Sequence, residues 1–278
     1  MNAATGVPAR YALLAGNGRF PILALETARK LGHDVVVVAI KEGASPEIEA
    51  LAGVCHWVSI GQLGKLIELL KQEGVSEVMM AGQVKHAKLF SGIVPDWRLI
   101  RLLASLPRRN TEALIGGIAK VLEEEGIRLA DSTALLKPLL ATEGPLTRRK
   151  PEKNELGDVD YGRRIANALA GFDVGQSVAV SEGACVAVEA MEGTDAMLRR
   201  AAGLVNGRPL RLVKVGRRRG HLLFDVPVAG LSTIPVMVET GTTVLAVDAG
   251  RTLLLDREEM IAAADEAGVS IVGYPPVD

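Results

Sequence analysis

Four short stretches hold residue types whose spacing could support chemistry. Gly16-Asn17-Gly18-Arg19-Phe20-Pro21 stands between an apolar run and an amphipathic one. Paired glycines there let the backbone approach a phosphate, and the helix that follows offers N–H groups at its start. A tight strand–helix turn without ligand is the competing reading. The dinucleotide fingerprint asks for a third glycine where Pro21 stands, while Glu42, past the next strand, could serve as a ribose-binding acid. Ala81-Gly82-Gln83-Val84-Lys85 follows another apolar run. Gln83 suits a base or ribose edge, and Lys85 or Lys88 suits a phosphate; a solvated loop has the same spacing. Glu192-Gly193-Thr194-Asp195 opens a helix, with Thr194 either its cap or a ligand contact. Two carboxylates at that place tolerate a substrate phosphate only with a divalent cation between them. Asp225, in Phe224-Asp225-Val226-Pro227, is a turn residue or a functional acid at a strand end.

Composition narrows the classes. The chain has 278 residues, 48% of them hydrophobic, enough for one large domain or two. Lys and Arg total 32 against 33 Asp and Glu, which argues against a broad nucleic-acid-binding face. Four Phe, three Tyr and two Trp leave few platforms for stacking bases. Cys55 and Cys185 lie far apart without a CxxC pair, excluding a disulfide framework and a thiolate zinc site. The four histidines form no HExxH motif, and neither a Ser-His-Asp pattern nor a GxxxxGK[ST] loop is present. The clusters Arg148-Arg149-Lys150 and Arg217-Arg218-Arg219 are solvated loops, or contacts to phosphates or an anionic membrane surface. No apolar run reaches the roughly 20 residues of a membrane span, and the opening residues carry no signal core. The expectation is a soluble cytoplasmic protein.

These residues need a scaffold, and β-branched runs alternating with amphipathic stretches predict an α/β one. Strands are expected at Tyr11–Ala15, Asp34–Ile40 and Glu77–Ala81, with helices at Pro21–Leu31, Pro46–Ala52, Leu63–Glu73 and Asn110–Glu125. They wind into a Rossmann-like, mostly parallel sheet over residues 1–140. Residues 141–160 are polar and charged, which predicts a linker. Residues 161–278 predict a second α/β domain with a mixed sheet. Its expected helices are Tyr161–Ala170, Thr194–Gly203 and Arg257–Ala267, the last capped by Asp256 with Glu259 completing a capping box. Its expected strands are Ser177–Val180, Cys185–Glu189, Leu210–Val215, Leu222–Phe224, Thr243–Ala246, Thr252–Leu255 and Ser270–Val272. The first two flank a hairpin turn at Ser181-Glu182-Gly183.

Taken together, LLAGNGRFP, HWVSIGQLGKLI, VMMAGQVKH, RRNTEALIGG, DVGQSVAVSEGACVAVEAMEGTDAMLRRA and LLLDREEMIAAADEAGVSIVG occur in this order along the chain. The whole chain after the first ten residues resembles the UDP-2,3-diacylglucosamine pyrophosphatase family of lipid A biosynthesis, in its version without a metallophosphoesterase fold. The resemblance implies cleavage of the substrate pyrophosphate to UMP and 2,3-diacylglucosamine 1-phosphate (lipid X), by water attack at the α-phosphorus. It also implies Mg²⁺, with Mn²⁺ as an alternative, and a homodimer. The family's essential acid falls on Asp225. Its EGTD motif falls on Glu192, Thr194 and Asp195, its IGQ-type motif on Gly175 and Gln176, and its AGQV motif on Gly82 and Gln83.

The expected catalytic set is therefore Asp225, Asp195 and Glu192, with Asp225 and Asp195 as metal ligands. The expected substrate-binding set is Gly16, Asn17, Gly18, Gly82, Gln83, Gly175, Gln176 and Thr194. One segment departs from the family pattern: Gly220, His221 and Leu223 stand where a Gln, an acid and an Arg precede the essential Asp. A non-catalytic protein that binds the same nucleotide-sugar lipid, and a nicotinamide-dependent oxidoreductase, are the alternatives. Membrane contact is expected to be peripheral at most, at the inner membrane through basic loops.

Overall fold

The computed structural model describes residues 10–82, 94–106, 111–172, 174–216 and 226–277. The chain divides into two compact units between Lys137 and Pro138. In the first, β1 (Arg10–Ala15), β2 (Asp34–Ile40), β3 (Val54–Val58), β4 (Glu77–Ala81) and β5 (Arg128–Ala130) form an all-parallel sheet in the order β3-β2-β1-β4-β5. Every residue of β2 after Asp34 is buried, because helices cover both faces of the sheet.

On one face α3 (Leu63–Gln72), α4 (Trp97–Ser105) and α5 (Thr111–Glu124) set Leu66, Ile67, Leu70, Leu99, Leu102 and Leu122 against Ala12, Val36, Val38 and Val78. Helix α1 (Phe20–Lys30) packs on β1, β2 and β4 and contributes nothing to that cluster; it buries Phe20, Ile22, Leu25 and Ala28. A short α2 (Glu47–Leu51) leans on α1. The chain runs outward from β1 to β3, then returns to the far side of β1 for β4 and β5. The order therefore reverses between β1 and β4.

The second unit holds a mixed sheet in the order β6-β13-β11-β9-β7-β8. Its strands are β6 (Gly144–Pro145), β7 (Ser177–Ser181), β8 (Ala184–Val188), β9 (Leu210–Lys214), β11 (Thr242–Asp248) and β13 (Ser270–Tyr274). The central β9, β11 and β13 are parallel, and β6, β7 and β8 join antiparallel. A separate parallel pair consists of β10 (Val228–Gly230) and β12 (Leu253–Leu255).

Alternate residues of the main sheet pack on opposite layers. Val178, Val180, Val213 and Val244 meet Val159, Ala166 and Ala170 of α6 (Lys153–Gly171). Ala179, Leu212, Leu245 and Ile271 meet residues of α7 (Thr194–Leu204), α8 (Thr233–Glu239) and α9 (Arg257–Glu266), among them Leu198, Met237 and Met260. The architecture is the two-part α/β arrangement read from the sequence, a parallel sheet followed by a mixed one.

Several local expectations are corrected. Residues 141–160 are not a linker: Ala141 is buried, β6 pairs with β13, and α6 begins at Lys153 rather than Tyr161. The cause is a set of charges that satisfy one another inside the unit. Arg149 donates two hydrogen bonds to Glu155, at 2.7 and 2.8 Å, and others to Thr243 O and Ser270 Oγ. Arg149 is thus a structural cation, not a solvated or phosphate-binding one. Buried Arg211 lies 3.4 Å from Asp158, whose carboxylate accepts the N–H groups of Glu182 and Gly183 in the two-residue β7–β8 turn. Asp256 stands before α9 in a left-handed conformation (φ 48°) and makes no side-chain cap hydrogen bond, so the expected capping box does not form. One does operate at α6, where Glu155 accepts the Glu152 N–H at 2.8 Å. The strand expected at Leu222–Phe224 and the first residue, Asn110, of the helix expected at Asn110–Glu125 lie outside the described residues.

Candidate functional site

In the first unit, two glycine segments meet at the carboxyl ends of β1 and β4, where the strand order reverses. Open α/β sheets bind ligands at such a point. The Gly16 N–H donates to Ala81 O at 2.8 Å, tying the two strand ends together. Gly82 (φ +90°) lies so close that a Cβ there would be 2.6 Å from Asn17 O and 2.9 Å from Pro21 Cγ. Gly18 takes φ +100°, and Asn17, Gly18 and Arg19 are exposed ahead of α1. Gly16, Asn17, Gly18 and Gly82 thus form one turn cluster at the start of a helix. That is the geometry in which backbone amides and the helix dipole receive an anion. Gln83, Lys85 and Lys88 lie outside the described residues. Glu42 is not free for a ribose, because its carboxylate accepts from Ser59 Oγ and from Ile60 N, the latter at 3.0 Å. With Pro21 in place of the third glycine, this removes the support for the nicotinamide reading.

In the second unit, the EGTD and Gly175-Gln176 motifs converge on a residue that sequence reasoning missed. Lys214, at the carboxyl end of β9, is buried, and its Nζ donates to Thr194 Oγ1 at 3.0 Å and to Ser177 Oγ at 3.2 Å. Glu189 Oε2 is 3.9 Å from the amine, and Thr194 Oγ1 donates to Glu189 Oε1 at 2.9 Å. Thr194 is therefore the first residue of α7 and a hydroxyl relay to Lys214, not the cap. The cap position belongs to Gly193 (φ +86°). At Gly175 a Cβ would stand 1.9 Å from Glu189 O, so only glycine fits there. Gln176 accepts the Val215 N–H through its carbonyl at 2.9 Å. These two residues act through backbone, closing β7 onto the end of β9 beside the Lys214 cluster.

The expected acids separate. Glu192 pairs with Arg200 and accepts the Ala190 N–H at 3.0 Å. A backbone N–H first, and then Arg200, hold its carboxyl below the usual range. Asp195 is exposed in the first turn of α7. Asp225 lies outside the described residues. Among the described residues no three His, Cys, Asp or Glu side chains gather as a metal-binding group, and Glu192 is already committed to Arg200.

Asp248, at the carboxyl end of β11, was also illegible from spacing. It is buried, accepts the Gly216 N–H at 2.9 Å, and has its carboxyl pushed up by burial.

An open parallel sheet with a glycine turn at its switch point, followed by a mixed sheet with a buried lysine cluster, defines an α/β ligand-binding protein in two units. Models of the LpxI N-terminal domain and the LpxI C-terminal domain match residues 10–139 and 142–272. The chain is 32% identical, over 96% of its length and 98% of the relative's, to UDP-2,3-diacylglucosamine pyrophosphatase LpxI of Caulobacter vibrioides. This chain belongs to the LpxI family. A weaker similarity, 26% over 37% of this chain and 79% of the relative, links it to the 3-hydroxyacyl-(acyl-carrier-protein) dehydratase FabZ of Streptococcus agalactiae. Among solved structures, CobK precorrin-6A reductase matches at a TM-score of 0.32 and 14% identity, covering 97% of this chain and 90% of that one.

Proposed function

We propose that the chain hydrolyses UDP-2,3-diacylglucosamine to UMP and 2,3-diacylglucosamine 1-phosphate, a step of lipid A biosynthesis. Family membership along both units carries this reading, and the glycine cluster at the β1–β4 switch point supports it as an anion-binding geometry. In the proposed step a water oxygen bonds to the α-phosphorus. The bond from that phosphorus to the bridging oxygen breaks, and the sugar phosphate leaves with the bridging oxygen. Asp225 is proposed as the acid that orients the water. Within the first unit the Gly16–Gly18 turn and Gly82 are proposed to receive an anion, and within the second Lys214 is a fixed positive charge among Thr194, Ser177 and Glu189. A requirement for Mg²⁺, replaceable by Mn²⁺, rests on the resemblance, and no step is routed through it. A homodimer in the cytoplasm, touching the membrane only peripherally, completes the proposal.

The test is UMP release from UDP-2,3-diacylglucosamine by the purified chain with Mg²⁺, with Mn²⁺ and with EDTA, together with Asp225→Ala. The expected outcome is metal-dependent UMP that Asp225→Ala abolishes while its circular dichroism is retained. Tight lipid binding without UMP under any metal would instead establish the non-catalytic binding reading, which the replaced residues Gly220, His221 and Leu223 favour.

A further inference from the structure

The chain leaves β9 at Val215 and Gly216 and returns at Pro227, ahead of β10. Residues 217–226, between these two points, include Asp225. Both points rest on one turn, residues 248–253, which joins β11 to β12. Asp248 Oδ2 accepts the Gly216 N–H at 2.9 Å, and Leu253 N donates to Pro227 O at 2.9 Å. The Arg251 stem and the Pro227 ring close on Gly216: a Cβ there would lie 3.1 Å from Arg251 Cβ and 3.7 Å from Pro227 Cγ. The turn is itself held from outside. Ala249 N donates to Tyr274 O, Gly250 N to Ala141 O, and Ala141 N to Thr252 O, each at 2.8 Å.

An acid is a costly choice for this place. Asp248 is 1% exposed, and its Oδ1 has no hydrogen-bond partner among the described residues. The cations facing it do not account for it. Arg163 of α6 stands 3.8 Å from Oδ1, but it donates to Pro275 O and lies over the Tyr274 ring. Arg251 acts on it by charge. A carboxylate kept to neutralise a guanidinium pairs with it side by side. Among the described residues this one accepts instead from a backbone N–H just past the β9–β11 pairing, which ends at Lys214 and Val247. There the side chain supplies the acceptor that the ladder no longer provides.

We propose that Asp248 is a positioning residue for the hydrolysis: it fixes where the segment carrying Asp225 leaves the sheet, and thereby the place of the Asp225 carboxyl. The inference rests on the reading of Asp225 as the acid that orients the attacking water. Displacing such a group by about 1 Å costs on the order of a hundredfold in rate. The contribution therefore belongs to kcat rather than to KM.

The test compares, in the full chain, Asp248→Asn, which keeps an acceptor for the Gly216 N–H, with Asp248→Leu, which has none. Gly216→Ala crowds the same point with Asp248 left in place, and decides the matter should the Leu variant not fold. Two readouts are taken: UMP release from UDP-2,3-diacylglucosamine, and trypsin cleavage after Arg217, Arg218 and Arg219 followed by mass spectrometry. For Asp248→Leu and Gly216→Ala the expected kcat is at least about tenfold lower, with KM within about twofold of wild type. Cleavage at the three arginines should be faster in both, as a released tie opens locally. Asp248→Asn should keep kcat within about threefold of wild type and cleave at the wild-type rate. Wild-type kcat in the folded variants, or an Asn variant as slow as the Leu variant, overturns the proposal. So does faster cleavage at unchanged kcat, which would leave Asp248 a structural tie. Absence of UMP release by the wild type would strike the hydrolase reading, whereas equal cleavage of all variants would strike the tie alone.

Discussion

A methyl group at position 82 would sit 2.6 Å from Asn17 O in a backbone region (φ +90°) that L-residues avoid. Gly82→Ala is therefore expected to cost about 2 kcal/mol in urea unfolding and to shift the Gly16–Asn17 turn away from any anion it receives. Unchanged stability would mean the two loops do not press together. The glycines were legible because their tolerance of close approach and positive φ is a property of the residue type. Gly175 was legible as a glycine but for a different role, since its contact is Glu189 O rather than a ligand. Lys214 was invisible because a single Lys inside RLVKV has no spacing signature; its burial depends on hydroxyls from Ser177 and Thr194, 37 and 20 residues away.

At the level of elements, apolar periodicity found most strands and helices that bury a continuous face, though not α8, which buries Ile234, Val236 and Met237. It missed β3, whose VCHWV is only half-buried until Val58 at the edge of its sheet, and α4, whose exposed Trp97 and Ile100 blur the helical stripe. The linker reading failed for a sharper reason: charge in sequence implies solvent only when the charges lack partners. Burial alone would raise the Glu155 carboxyl, but hydrogen bonds from Arg149, Thr243 and the Glu152 N–H outweigh it and hold the group below the ordinary range. A depressed folded value means that Glu155 stabilises the fold fully above the unfolded glutamate value of about 4.3. That contribution disappears as pH falls through the lower folded value. Glu155→Gln should cost about 3 kcal/mol near neutrality, since it leaves the Arg149 charge without its carboxylate partner. Its stability should then vary less than wild type's on acidification below about pH 4, as read by urea midpoints across a pH series.

For the whole molecule, the two sheets differ in how far along the chain their strands are gathered. The first pairs segments that all lie within residues 10–130. In the second, β6 at Gly144–Pro145 pairs with β13, Val272 lying opposite Pro145, and Arg149 reaches Ser270. β13 fills the place between β6 and β11. During vectorial synthesis the first sheet can therefore assemble as soon as β5 leaves the ribosome, while the second stays open until β13 has been made. Stalled nascent chains should show this order. With residues up to 137 extruded, the first unit should already resist protease, whereas β7, β9 and β11 should remain cleavable until Tyr274 emerges. For roughly half of its translation, the β6 strand and the buried charges beside it wait without the partner that completes them.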